Sequence, residues 1–165
     1  MARAISADVR QLRDLTRRMR QEADGKQLRK DLMAQMRKAG EPLAGAVRAN
    51  VRGLPSRTPG RRRGGSLRAK IAQRVKVKAT AGGKWAGVVV FVAQRIGLPR
   101  GFYNAPRVLN RGQWRHPAWG RSNSWVDQQI SPAGWFDTPA KAHYKDGREA
   151  AKRALDDMAR RLAGR

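Results

Sequence analysis

The chain has 165 residues, 40% of them apolar, no cysteine and a formal net charge of +25. That length fits one domain with a real core, and the missing cysteine excludes disulfides, thiolate metal sites and cysteine nucleophiles. The longest uncharged apolar run, AGVVVFVA at 86–93, falls far short of the roughly 20 residues of a membrane helix, and MARAISADVR lacks a signal peptide's apolar stretch.

Ser6 reads as an N-cap, after which Val9, Leu12, Leu15 and Met19 recur at helical spacing. Asp24-Gly25 interrupts. A second helix is expected from about Lys26, with Leu28, Leu32, Met33, Met36, Leu43 and Val47 on one side as core contacts. Gly40-Glu41-Pro42 should kink or restart it. Residues 51–68 read as loop, because Gly53, Pro55, Pro59, Gly60, Gly64 and Gly65 punctuate them densely. The run IAQRVKVKA (71–79) then alternates. Ile71, Val75, Val77 and Ala79 face one way, and Arg74, Lys76 and Lys78 the other, as in a half-buried strand. Ala81-Gly82-Gly83 supplies a turn, and WAGVVVFVA (85–93) a more fully buried strand, so the two pair as a central hairpin. A segment punctuated by Gly and Pro follows at 97–124, and WVDQQI (125–130) reads as a short strand. Thr138-Pro139 gives an N-cap with Pro at the first helical position. The last helix runs from there to about Leu162, with Tyr144, Ala151, Leu155, Met158 and Leu162 inward.

The expected fold is α+β: N-terminal helices, an antiparallel β-sheet with a central hairpin, and a C-terminal helix packed on the sheet. One domain, 1–165, divides into N-terminal helices (1–50), a basic loop (51–69), sheet and loops (70–130) and the C-terminal helix (138–163).

The charge is unevenly placed. No acid lies between Glu41 and Asp127, and those 85 residues hold 18 of the 37 lysines and arginines. The two ends hold the other 19 cations against all 12 acids. Such a field attracts polyanions and opposes self-association without a compensating partner. Its densest part is PSRTPGRRRGGSLRAKI (55–71). Arg57, Arg61, Arg62, Arg63 and Arg68 are the candidate contacts to DNA phosphates or to a protein partner.

Gly60 and Gly65 have the spacing of a P-loop's two glycines. Ser66 stands where the lysine belongs, no strand is expected before the loop and no helix after it, so nucleotide hydrolysis is not expected. His116 and His143 lack metal-ligand partners at usable spacing. No serine or aspartate meets a nucleophile–base pattern. No enzyme, metal or cofactor is expected. Nor does a helix-turn-helix, zinc finger or ribonucleoprotein motif appear, so any DNA contact would ignore sequence.

Four of the five tryptophans lie in the stretch from Trp114 to Trp135. Trp and Arg are favoured interface anchors. The segment therefore reads as half core and half subunit contact, with Trp114, Arg115, Trp119 and Trp125 as the interface candidates.

Several landmarks also fall in a familiar order. Thr58-Pro59-Gly60 with Ser66-Leu67-Arg68-Ala69-Lys70-Ile71 resembles a Thr-Gly-x-Leu-Arg-like motif split by an arginine–glycine insertion. Tyr103 and Leu109-Asn110-Arg111-Gly112 sit where a Tyr and a Glu-x-Gly-like turn belong, without the acid. Pro132-Ala133-Gly134-Trp135-Phe136 and Pro139-Ala140 resemble the Pro-Phe and Pro-Ala before a final helix. Over about residues 25–163 the chain resembles the tail-component family of long-tailed bacteriophages (neck, tail-completion, minor tail protein Z-like), in the version found in actinobacterial phages. The resemblance implies a virion structural protein at the head–tail junction, made in the host cytoplasm. It would be one subunit of a homo-oligomeric ring around the DNA channel, docked to other neck and tail proteins, without catalysis, cofactor or membrane. A tail terminator of the same region is the near alternative. A nonspecific DNA-binding protein of a phage or mobile element is the alternative of a different class.

Overall fold

In a computed structural model of the chain, the residues described are 2–6, 9–55, 66–80, 87–93, 104–118 and 121–164. They form β1 (Ala2–Ser6), α1 (Val9–Met19), α2 (Gly25–Gly53), α3 (Leu67–Arg74), β2 (Val75–Thr80) and β3 (Gly87–Val92). Then come α4 (Ala105–Arg111), β4 (Gln113–Ala118), β5 (Arg121–Gln129), α5 (Asp137–Ala142) and α6 (Tyr144–Ala163). The fold is α+β, as expected. The chain divides into two compact units. The first comprises Ala46–Val75 and Val92–Lys141, the second Ala2–Gly45, Lys76–Phe91 and Ala142–Arg165.

The second unit holds the larger sheet, in the order β1-β3-β2. β1 pairs antiparallel with β3, Ala2 opposite Phe91 and Ser6 opposite Gly87. Ser6 therefore ends a strand, and α1 starts only at Val9. The segment ARAIS is too short and too basic to show period-two patterning, so only pairing with β3 reveals it. α6 packs on β1 and on α1, where Gln11 Nε2 donates to Asp156 Oδ1 at 3.0 Å. The helical periodicity is borne out: Leu12, Leu32, Met36, Ala151, Leu155 and Met158 are fully buried. Met33, Tyr144 and Leu162, expected inward, are only half-buried.

α2 continues through Gly40-Glu41-Pro42 as one helix, with Pro42 inside it, so the expected restart does not occur. Gly40 is there for packing. A Cβ built on it would come within 2.7 Å of Cγ1 of both Val77 and Val88. The helix backbone at Gly40 therefore lies against the side chains of Val77 on β2 and Val88 on β3, where a glycine leaves room for them.

In the first unit, α3 revises the expected strand over 71–79. Ile71–Arg74 are helical, and the strand starts only at Val75. Ser66 is the N-cap, its Oγ accepting from Ala69 N–H at 3.1 Å. Alternation of apolar and basic residues was a poor guide here, because Ile71 and Ala72 are adjacent and both buried, as on a helix face. From Val75 onward the alternation holds: Val75 is buried, and Lys76 and Lys78 are exposed. The turn at Ala81-Gly82-Gly83 lies outside the described residues.

The expected loop over 97–124 contains α4, β4 and the start of β5. Nor is the C-terminal helix continuous from Thr138. α5 begins at Asp137, a turn at His143 interrupts the helix, and α6 starts at Tyr144.

Candidate functional site

The tryptophan-rich segment folds as an antiparallel ribbon, β4 against β5, in the first unit. Its register places Gln113 opposite Gln129, Arg115 opposite Asp127 and Pro117 opposite Trp125. One face therefore shows Arg115, Trp125 and Asp127 together, since alternate residues share a face. The Arg115 guanidinium lies over the Trp125 ring, 5.8 Å from its centroid. Arg115 Nε is 3.9 Å from Asp127 Oδ1, and both of these side chains are largely in solvent. Trp125 is 54% exposed, and Val126, on the opposite face, 41%. Both faces of β5 thus present an apolar residue to solvent.

The ribbon's base is held firmly. Gly112 ends α4 at φ +80°, in the left-handed region. Its carbonyl accepts from Ile130 N–H at 2.7 Å. Asn110, 7% exposed, ties the return chain. Its backbone carbonyl accepts from Gly134 N–H at 2.7 Å. Its Oδ1 accepts from Phe136 N–H at 2.8 Å, and its Nδ2 donates to Asp137 Oδ2 at 2.7 Å. Trp135, 1% exposed, donates its indole N–H to Pro106 O at 3.2 Å. It also meets Phe136 edge to face, with centroids 5.8 Å apart. Asn50 Nδ2 donates to Trp135 O at 3.0 Å.

The four tryptophans therefore separate. Trp135 is core, Trp114 is half-buried on β4, Trp125 is exposed on β5, and Trp119 lies outside the described residues. Of the interface candidates, the structure brings Arg115 and Trp125 together. Of the arginines proposed to meet DNA or a partner, Arg57, Arg61, Arg62 and Arg63 lie outside the described residues. Arg68 is not in a loop. It sits half-buried on α3, because Ser66 caps a helix where loop was expected. A helix does therefore follow the Gly60–Gly65 segment, but among the described residues the element before it is α2, not the strand of a P-loop, and Ser66 still stands where the lysine belongs.

Sequence reasoning missed Asn110, Asp137 and Val126. The Pro106 start and Gly112 stop of α4 are its visible signals. Asn110's role depends on the return chain at 134–137, which sequence does not place beside it.

Charge also separates by unit. The first unit carries 16 lysines and arginines and two acids, Asp127 and Asp137; the second carries 21 and ten. Both acids of the first unit are engaged internally, one by Arg115 and one by Asn110.

In the second unit, a groove of about 370 Å³ lies between α2 and α6, lined by Lys38, Pro42, Leu43, His143, Asp146 and Arg153 among others. His143 Nδ1 is 4.0 Å from Asp146 Oδ2. Among the described residues, no three histidine or carboxylate side chains come close enough to hold a metal. No helix among them is long and apolar enough to cross a membrane. No family model, curated protein or solved structure matches the chain.

Proposed function

We propose that this chain is a structural subunit of a bacteriophage head–tail connection (neck or tail completion), acting as one member of a homo-oligomeric ring around the DNA channel and docking to other neck and tail proteins. A tail terminator is the neighbouring role within the same region. The observation that supports this reading best is the ribbon with Trp125 and Val126 exposed on opposite faces. A two-stranded ribbon has little stability of its own, so exposed apolar residues on both faces suit an element completed by another subunit. Its base is fixed by the Asn110 bonds, which present Trp125 and Arg115 without a large ordering cost on docking. The order of motifs over 25–163 supplies the phage context, and the virion is the proposed location.

Single-particle imaging of purified phage particles tests this. The expected result is a ring of this chain at the head–tail junction, with the ribbon against a neighbouring subunit. Absence of the chain from the virion would sink the reading.

A second reading, a nonspecific DNA-binding protein, is favoured by the acid-poor first unit. It requires tight duplex binding by the isolated chain. A neck subunit binds weakly until its ring has formed.

A further inference from the structure

We infer that the outer face of α4, through Arg107 and Arg111, is a contact surface for the phosphate backbone of double-stranded DNA. Ala105, Pro106, Leu109 and Asn110 are the buried residues of α4. Burying those four turns Arg107 and Arg111 outward together, and both are exposed. At i and i+4 their side chains rise from points about 6 Å apart on one helical face. Neither is ion-paired among the described residues.

Three observations favour DNA over an acidic protein. First, the face holds no exposed apolar residue. Asn104, Arg107 and Arg111 are exposed, and Val108 is half-buried. Arginines at a protein interface usually accompany aromatic or apolar anchors, which this face lacks, whereas contact to the DNA backbone is made by cations and polar groups without them. Second, the unit that carries this face has two carboxylates against 16 cations, and both carboxylates already have internal partners. Cations outnumber acids eightfold in that unit, so its net field attracts a polyanion. Third, the helix is held rigidly. Asn110 and Pro106 on its inner side bond to the return chain, so the two arginines are presented in fixed register. Arginine suits this task, being always charged and able to grip phosphate with two parallel N–H groups.

The inference takes its polyanion from the reading of a subunit beside the DNA channel, but it is tested apart from that reading. The full chain is titrated into a fluorescent 30-bp duplex of arbitrary sequence, and anisotropy is followed across salt concentrations. Binding is expected at low salt and should weaken steeply as salt rises. Arg107→Glu/Arg111→Glu should cut the slope of log affinity against log salt by about 2, since each phosphate contact contributes about 0.9. Arg107→Gln/Arg111→Gln should do nearly the same with a milder charge change, and unchanged circular dichroism would show that both variants fold. The control is Arg17→Glu/Arg18→Glu on exposed positions of α1, in the other unit, with the same change in net charge. It should lower affinity slightly and leave the slope within about half a contact. Equal slope changes from the two Glu pairs would reduce the effect to net charge and overturn the assignment. No duplex binding by the wild-type chain at low salt would overturn it as well. A virion image with the ring present but α4 turned away from DNA would overturn the face and leave the ring standing. A missing ring alongside an α4-dependent slope would do the reverse.

Discussion

Asn110 Oδ1 accepts the Phe136 backbone N–H at 2.8 Å, joining two residues 26 apart in sequence at the base of the ribbon. The same amide donates to Asp137, so one side chain satisfies three partners when the longer bond from Asp137 N–H is counted. Asn110→Ala strips a buried backbone donor of its acceptor. It should cost roughly 2–3 kcal/mol, in line with the penalty for an unsatisfied buried group. Chemical denaturation measures the loss. Asn110→Asp keeps the acceptor but replaces the amide donor to Asp137 with a second carboxylate, so it should also destabilise the fold. An Asn110→Ala variant as stable as the parent would show that the return chain holds itself.

Gly40 and Gly45 lie on one helix, yet they should respond oppositely to alanine. At Gly40 a Cβ would stand 2.7 Å from Val77 and Val88, which needs the helix or the sheet to shift. Gly40→Ala should cost about 1–3 kcal/mol, the usual range for overpacking. At Gly45 nothing lies within 4 Å of the added carbon. Gly45→Ala should stabilise the chain by about 0.5–1 kcal/mol through helix propensity. Thermal unfolding of the two single variants separates them. Stabilisation by Gly40→Ala would disprove the close approach of α2 to the sheet.

The long helices were legible in the sequence because Leu12, Leu32, Met36 and Leu155 repeat over enough turns for the period to show, and burial bears them out. β3 was legible as an apolar run. Short elements were not. Leu67–Arg74 offers two turns, too few to outweigh the alternation that continues into β2. α4 has seven residues, and β1 five that show their role only opposite β3. Of the site, the exposed pairing of Trp and Arg was foreseeable from composition. The sequence set Trp125 among the interface candidates and left Trp135 out, but it could not sort half-buried Trp114 from exposed Trp125, because that depends on what packs against the ribbon.

Ser66 governs whether the segment after the basic loop is helix or strand. Its Oγ accepts from Ala69 N–H, satisfying one of the free donors of an eight-residue helix. Ser66→Ala should destabilise by about 1 kcal/mol. Ser66→Asp should retain the cap, since a carboxylate accepts the same bond and favours the positive helix end. Amide exchange over residues 67–74 reads the effect locally. Protection should fall in the Ala variant and persist in the Asp variant. Equal protection in both would show that burial of Ile71 and Ala72 alone fixes the helix.

Trp125 and Trp135 should separate assembly from folding. Trp135 is 1% exposed and bonded through its indole, so Trp135→Ala opens a cavity and orphans Pro106 O. A loss of about 3–5 kcal/mol is expected, enough to unfold a marginal chain. Trp125 is 54% exposed and has Arg115 against its ring. Trp125→Ala should leave monomer stability within about 0.5 kcal/mol, as for an ordinary surface position. If the ribbon is a subunit contact, the same change should abolish higher oligomers in sedimentation velocity at concentrations where the parent assembles. Arg115→Ala should act in the same direction but more weakly, because it removes the cation packed on the ring and leaves the ring in place. An oligomer unchanged by Trp125→Ala would exclude the ribbon from the subunit interface, and the Trp135 variant guards that result against confusion with misfolding.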